Sequence, residues 1–152
     1  MRSKGFSLVE LLTIISILAI LASIGLVSFS SVQSKGRDSN RKQDLRALSV
    51  ALELYKQSNG TYFSTSSMQC NTGNSDAFYT AIGPFMSGGA APPDPRTQEK
   101  YCYFSLNSGE SFRLFAKLEN CSDKDVINPG SCSPSTYNFS VVSTDLTITL
   151  PP

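Results

Sequence analysis

The stretch that decides the architecture reads MRSKGFSLVE over residues 1–10 and continues as LLTIISILAILASIGLVSF over residues 11–29. Arg2 and Lys4 precede a long apolar run in which Glu10 is the only charged residue. The run exceeds the roughly 20 residues with which a helix crosses a bilayer. Because basic flanks stay on the cytoplasmic side, the sequence predicts one membrane-spanning helix with the C-terminal part of the chain outside.

Three interpretations of this stretch compete. A cleaved secretory signal normally has a shorter apolar core and ends at a small-x-small site, for which Ser28-Phe29-Ser30 is a weak match. A plain single-pass anchor is the second interpretation, and a leader removed ahead of Phe6 is the third. Glu10 favours the third, because a charge at membrane depth is costly and marks a function that a plain anchor does not need.

Residues Lys4 to Leu12, KGFSLVELL, resemble the class III leader junction of type IV pilins and type II secretion pseudopilins. The resemblance implies that a membrane-embedded aspartyl peptidase, the prepilin peptidase, cuts between Gly5 and Phe6 and methylates the new N-terminus, giving N-methylphenylalanine at Phe6. It also implies that membrane assembly machinery polymerises the chain with other pilins into a homo-oligomeric helical filament. In that filament, the Glu10 carboxylate of one subunit would pair with the Phe6 amine of a neighbour and fix the register between them.

An amphipathic stretch follows the apolar run, and its apolar positions recur at helical spacing. This stripe consists of Leu45, Leu48, Leu52 and Tyr55, and we expect Ala47, Ala51 and Leu54 to widen it. Asn59-Gly60 ends the pattern as a helix stop, so the simplest structure is one helix from about Phe6 to Ser58. Many type IV pilins carry a proline where this sequence has Val27, and whether the first half of the helix melts on assembly stays open.

Beyond this helix, the sequence predicts a small α+β head. A short helix over residues 76–82, with Ser75 as its N-cap, precedes a loop rich in glycine and proline. Three or four antiparallel strands are expected within the segments Tyr101–Leu106, Phe112–Leu118, Tyr137–Val142 and Leu146–Leu150. Residues 107–110 form the expected turn of the first hairpin.

The resemblance extends into this head. The helix end at Leu52–Tyr62 is similar to that of pseudopilins, and the segment Pro93–Glu119 is similar to the loop and first hairpin of major pseudopilins and related pilins. It implies the ladle-like pilin fold, an α+β fold in which a long N-terminal helix packs on a small antiparallel sheet. The chain then divides into a leader at residues 1–5, a transmembrane or filament-core helix at 6–30, an amphipathic helix at 31–58 and a globular head at 59–152.

Four cysteines lie outside the apolar segment, at Cys70, Cys102, Cys121 and Cys132. An even count in an exported segment indicates two disulfides, and the lack of Cys-x-x-Cys pairs argues against a zinc site. Four cysteines allow three connectivities. The resemblance favours Cys121–Cys132, which closes a loop as in many pilins. Cys70–Cys102 would then tie the loop after the long helix to the first strand.

The composition argues against an enzyme and against a cofactor. The sequence has no histidine, no nucleophile motif and no glycine-rich phosphate loop. Asp123, Asp125 and Asp145 do not form the alternating run of oxygen ligands typical of calcium loops. We therefore interpret these acids as solvated surface residues and expect no metal.

A net charge of +1 argues against broad nucleic-acid binding. The basic cluster consists of Lys35, Arg37, Arg41, Lys42 and Arg46, which we interpret as a solvated helix face or a membrane-surface contact rather than a DNA-uptake site. The missing calcium run favours a pilus subunit over a secretion pseudopilin, and motifs do not separate a major from a minor pilin. A membrane-anchored or secreted binding module, such as an adhesin, is the remaining alternative. The expected location is the cytoplasmic membrane before assembly, and an extracellular pilus or a periplasm-spanning pseudopilus afterwards.

Overall fold

The computed structural model describes residues 5–70, 76–96, 99–127 and 137–143. The chain divides into two compact units, residues 1–36 and residues 37–152. One helix, α1 (Leu8–Asn59), supplies most of the first unit and enters the second. The single long helix predicted from the sequence is therefore confirmed.

The C-terminal end of α1 follows from two residues of the sequence. The Asn59 side chain donates from Nδ2 to the Tyr55 carbonyl at 2.9 Å, and the Gly60 N–H donates to the Lys56 carbonyl at 2.7 Å. Gly60 has a φ of +86°, a conformation that costs a glycine little and other residues much more. These bonds occupy carbonyls of the last turn, so the helix ends where Asn59-Gly60 predicted.

The second unit contains a four-stranded antiparallel sheet in the order β1-β2-β3-β4. Its strands are β1 (Gln69–Cys70), β2 (Cys102–Leu106), β3 (Ser111–Ala116) and β4 (Phe139–Val142). A tight turn at Asn107–Gly109, with positive φ at all three residues, joins β2 to β3, where the sequence predicted a hairpin turn. The expected α+β class is thus confirmed, while β1 is a strand that the sequence did not predict.

The core of this unit lies between the inner face of α1, the sheet and a short helix α2 (Ala77–Ile82). From α1 the buried residues are Leu45, Leu48, Ala51 and Leu52, and the sheet and α2 add Tyr103, Phe112, Leu114, Phe78 and Ile82. The rings of Phe78 and Tyr103 stack with centroids 3.9 Å apart. Burial of these side chains is the main force that holds the helix on the sheet.

Several predicted details need correction. Ala47 and Leu54 are exposed, because they lie on the outer side of α1 rather than at the edge of the buried stripe. The N-cap of α2 is Asp76, without a side-chain cap, while the predicted N-cap Ser75 lies outside the described residues. The predicted strand at 146–150 also lies outside the described residues, and the strand after Tyr137 pairs with β3.

In the parts of the chain that the structure describes, no helix combines the length and apolar character needed for a bilayer crossing. The membrane-spanning helix predicted from the sequence stays a prediction.

Candidate processing and assembly site

The chain is not helical around Phe6. Gly5, Phe6 and Ser7 precede α1, and the first helical bond runs from the Leu11 N–H to the Ser7 carbonyl at 3.2 Å. Ser7 is therefore the N-cap residue of α1. The Phe6 side chain is 75% exposed. The Gly5–Phe6 peptide bond consequently lies in accessible, non-helical backbone one residue ahead of a defined helix start.

Glu10 has a specific partner at this helix start. The Ser7 N–H donates to Glu10 Oε2 at 3.0 Å, which is the reciprocal half of a capping box. The position also places a negative charge in the first turn, where the helix dipole favours it. The sequence spacing Ser7-x-x-Glu10 is typical of this motif, but no capping box was predicted from it. The Glu10 carboxylate thus lies close to the predicted cleavage bond within a single chain.

On both sides of Glu10, apolar side chains in the first part of α1 are exposed, among them Leu8, Leu12, Ile15 and Leu21. Three polar side chains in the same part of α1 form hydrogen bonds within the helix. The hydroxyls of Thr13, Ser16 and Ser23 donate to backbone carbonyls of the preceding turn, at 2.9, 2.8 and 2.7 Å. This part of α1 is therefore suited to contact an apolar medium or other apolar helices without leaving these three hydroxyl groups unpaired.

Residues 1–26 match the protein-family model described as the prokaryotic N-terminal methylation motif. This motif is the class III prepilin leader of type IV pilins and pseudopilins. The chain carries a prepilin leader. The match supports a type IV pilin-like or pseudopilin-like protein of structural type. No curated protein and no solved structure shows significant similarity to the chain.

The prepilin leader implies processing by prepilin peptidase and assembly into a pilus with other pilins. It further implies a membrane-anchored precursor that becomes extracellular or periplasmic. The structure places the leader-junction residues Gly5 and Phe6 together with Glu10 at the start of α1. Gly5, Phe6 and Glu10 therefore lie within one short segment at the beginning of the described chain.

A second cluster of charges corrects the interpretation of the basic residues on α1. Arg41 is fully buried, with 0% exposure, rather than solvated. Its guanidinium donates to Asp94 through Nε and Nη2 at 2.8 and 3.0 Å, and through Nη1 to Asp38 at 2.8 Å and Glu119 at 2.9 Å. Arg37 binds both oxygens of Glu119 at 2.7 and 2.6 Å. The solvated-face interpretation is thus wrong for Arg37 and Arg41, because loops of the head cover this face of α1.

The arrangement shifts the pKa values of Glu119 and Arg41 in opposite directions, and each shift favours the charged form. Hydrogen bonds from Arg37, reinforced by Arg41, lower the pKa of Glu119 to about 2. Burial alone would lower the pKa of Arg41, but its bonds to Asp94, Glu119 and Asp38 outweigh that effect and raise it above its ordinary value. Asp38 also accepts the backbone N–H groups of Glu119 and Asn120, each at 2.8 Å. The cluster of Arg37, Asp38, Arg41, Asp94 and Glu119, hereafter the Arg41 cluster, is therefore a stable ion network at neutral pH.

Lys42 changes the interpretation of two of the C-terminal acids. Its Nζ lies 2.6 Å from Asp123 Oδ1 and 2.7 Å from Asp125 Oδ2. Asp123 is therefore not the simple solvated acid expected from the sequence, and its pKa is lowered, chiefly by the hydrogen bond from Lys42. Asp145 lies outside the described residues. Among the described residues, no group of histidine, cysteine or acidic side chains is arranged to hold a metal ion.

One of the two expected disulfides lies within the sheet. Cys70 in β1 and Cys102 in β2 are bonded, with Cα atoms 4.0 Å apart. The bond ties the segment after α1 to the sheet, and such a cross-link typically stabilises a fold by about 2–4 kcal/mol. Cys121 is also disulfide-bonded, while Cys132 lies outside the described residues. The Cys121–Cys132 pairing stays a prediction.

Proposed function

We propose that this chain is a structural subunit of a type IV pilus or pilus-like filament. Prepilin peptidase cuts it between Gly5 and Phe6, the amine of Phe6 is methylated, and the product polymerises through its N-terminal helix. The match of residues 1–26 to the methylation motif is the observation that carries this proposal. Accessible, non-helical backbone at Gly5–Ser7 supports it, since a peptidase needs such access to the bond that it cuts.

Cleavage would turn Phe6 into a chain end with an amine that is protonated at neutral pH. Inside a bundle of apolar helices, a lone cation is costly, and a carboxylate partner reduces that cost. Glu10 can serve as that partner for a neighbouring subunit, because its present partner in the chain is a neutral N–H group of Ser7. The charge pair sets the register between subunits, and apolar burial supplies most of the adhesion.

Before assembly, the same helix would span the cytoplasmic membrane once, with the head outside. The exposed apolar side chains on α1 and the self-satisfied hydroxyls of Thr13, Ser16 and Ser23 support this arrangement. On assembly, the helix exchanges lipid contacts for contacts with protein neighbours. The apolar surface is then used in both environments, and only Glu10 changes its partner.

A pilus subunit is favoured over a secretion pseudopilin by the acids near residue 123. Asp123 and Asp125 share the ammonium group of Lys42, so these carboxylates already have a cation from the chain itself. A divalent ion is not needed to neutralise them. This pairing supports a head in which Lys42 neutralises these two carboxylates.

Electron microscopy of the native host with antibody against the head tests the proposal. We expect gold-labelled filaments on the cell surface, which disappear when the gene is deleted and return with the wild-type chain. Labelled protein in the membrane fraction of cells without filaments would contradict the proposal and favour a membrane-anchored binding module. Labelled filaments confined to the periplasm would favour the pseudopilin alternative.

A further inference from the structure

The disulfide between Cys70 and Cys102 lies on the face of the sheet opposite the aromatic core. Tyr103, the next residue of β2, packs into that core, and successive side chains of a strand point to opposite faces. The two sulfur-bearing residues differ in their access to solvent. Cys102 is fully buried, with 0% exposure, whereas Cys70 is half-buried. A reagent in solution therefore reaches the disulfide more readily from the side of Cys70.

A tyrosine hydroxyl contacts the same disulfide. Tyr137 Oη lies 2.8 Å from Cys102 Sγ and 3.9 Å from Cys70 Sγ. Because a disulfide sulfur carries no proton, the hydroxyl is the donor, and the shorter distance assigns its hydrogen bond to Cys102. The Tyr137 ring packs beside Phe115 in β3, with centroids 6.1 Å apart. The hydroxyl is thus held at the less accessible of the two sulfurs.

The Tyr137 hydroxyl keeps its proton at neutral pH. Burial raises the pKa of Tyr137 above its ordinary value, and the negative charge of Glu99 acts in the same direction. Glu99 is itself paired with Lys117, whose Nζ lies 2.6 Å from Glu99 Oε1. A protonated hydroxyl is therefore available to the sulfur. A thiolate would accept its hydrogen bond more strongly than a disulfide sulfur does, since bonds to a charged acceptor are the stronger ones.

We propose that this disulfide is a thiol-exchange site with a fixed direction, in which an external thiolate enters at Cys70 and Cys102 leaves. The incoming sulfur bonds to Cys70 Sγ, the bond between the two cysteines breaks, and its electron pair stays on Cys102 Sγ as a thiolate. The Tyr137 hydroxyl stabilises this thiolate. A second external thiolate then attacks the incoming sulfur, so that two external thiols are oxidised to a disulfide and the two cysteines are reduced.

Two independent features select the same direction. Thiol exchange is faster at an accessible sulfur and with a better leaving thiolate. Access selects Cys70 as the sulfur that is attacked, and the hydrogen bond from Tyr137 selects Cys102 as the leaving group. By microscopic reversibility, the disulfide also closes by attack of Cys102 on a mixed disulfide at Cys70.

Opening this bond has a defined structural consequence. Strand β1 has only two residues, and each pairs with one residue of β2. Reduction removes the covalent link between the two strands and leaves this short pairing to hold β1 at the edge of the sheet. The exchange site therefore controls how firmly the segment after α1 is attached to the sheet. This inference does not depend on the proposed filament function.

Brief treatment of the purified, oxidised full-length chain in detergent with reduced glutathione tests the direction. Acid quenching, alkylation of free thiols and peptide mapping then identify the cysteine that carries glutathione. We expect the adduct on Cys70 at least about tenfold more often than on Cys102. Equal adducts, an adduct mainly on Cys102, or a disulfide that stays closed while glutathione opens the one at Cys121 would overturn the proposal.

A second probe distinguishes the source of the external thiolate. The probe is a thioredoxin-like protein that retains only the attacking cysteine of its Cys-x-x-Cys motif. A cross-link at Cys70 that forms faster than the glutathione adduct, at equal thiolate concentration, supports exchange with a protein thiol. A slower cross-link at Cys70 supports exchange with a small-molecule thiol. A cross-link at Cys102 would overturn the proposal.

Tyr137→Phe removes the hydroxyl and keeps the ring. We expect opening by glutathione to slow about threefold, because Cys102 becomes a poorer leaving group. In a Cys70→Ser background, the ultraviolet absorbance of the Cys102 thiolate should appear at a pH that is about one unit higher when Tyr137→Phe is added. A merely structural role of Tyr137 would not move this titration.

Tyr79→Phe is the matched control for the loss of a buried hydroxyl. The Tyr79 hydroxyl donates to the Tyr101 carbonyl at 2.7 Å, next to Cys102 in the chain, but its partner is not a sulfur. We expect this variant neither to slow the opening nor to move the thiolate titration. A Tyr137→Phe chain that matches Tyr79→Phe in both measurements would overturn the assigned role of the hydroxyl, and the proposal with it.

Discussion

Arg41 and Asp94 are joined by two hydrogen bonds of 2.8 and 3.0 Å, although 53 positions separate them in the sequence. Both side chains are almost fully buried. The pair fastens α1 to the loop that precedes β2, and Glu119 adds a second loop to the same guanidinium. The Arg41 cluster thus holds α1 against two loops through polar contacts, whereas the aromatic core holds it through apolar contacts.

Replacing the central cation tests this role. Arg41→Met keeps much of the apolar stem but leaves Asp38 and Asp94 buried without their cation. We expect a loss of about 3–5 kcal/mol in the free energy of unfolding, since an uncompensated buried charge is strongly destabilising. The measurement is denaturant unfolding of the full chain in detergent. Arg46→Met is the matched control on an exposed position and should stay within about 0.5 kcal/mol of wild type. Equal stability of the two variants would contradict the role.

Lowering the pH should weaken the Arg41 cluster because it protonates the Glu119 carboxylate. Its pKa is about 2 in the folded chain against an ordinary value of 4.5. A carboxylate with a lowered pKa contributes stability that is complete above its unfolded pKa and is lost as the pH falls through its folded pKa. We therefore expect the free energy of unfolding to fall between pH about 4.5 and about 2. Arg37→Gln removes the largest cause of the shift and should make this fall shallower. An unchanged pH dependence in that variant would contradict the assignment.

The close contact at Gly109 gives a third prediction. A Cβ added at Gly109 would lie 2.6 Å from the Tyr62 carbonyl oxygen, and its φ is +95°. Gly88 has a similarly positive φ of +102° but open space around the added atom. Gly109→Ala should therefore cost at least about 1 kcal/mol more than Gly88→Ala, because only the first adds a clash to the backbone strain. Thermal unfolding of the two variants checks this, and equal losses would contradict it.

Local sequence patterns predicted the parts of the fold that depend on neighbours along the chain. The spacing of Leu45, Leu48 and Leu52 predicted the buried side of α1, and Asn59-Gly60 predicted its end. The hairpin between β2 and β3 followed in the same way from a turn between two strand-like runs.

Long-range partners were not predictable from those patterns. Arg41 is buried because it binds Asp94 and Glu119. These residues lie 53 and 78 positions further along the chain, and no local spacing predicts that they contact Arg41. Ala47 and Leu54 were placed on the wrong side because a wide apolar stripe does not show which edge the core covers. Only Asp38, three residues before Arg41, could have been recognised as its partner from helix geometry.

The proposed charge pair at the N-terminus predicts a loss of assembly without a loss of insertion. Glu10→Gln keeps the shape and can still accept the Ser7 N–H, so the capping box and the start of α1 are retained. It removes the negative charge, and we expect surface filaments to fall more than about tenfold at an unchanged membrane level of subunit. Ser16→Ala is the control, because that hydroxyl binds only within its own helix. Normal filaments from Glu10→Gln would refute the pairing.

The most direct test of the account is the N-terminus of the mature protein, determined by mass spectrometry on chain purified from cells with active peptidase. The account predicts a chain that begins at Phe6 and carries a single methyl group on its amine. A chain that begins near Ser31, or one that retains Met1, would contradict it.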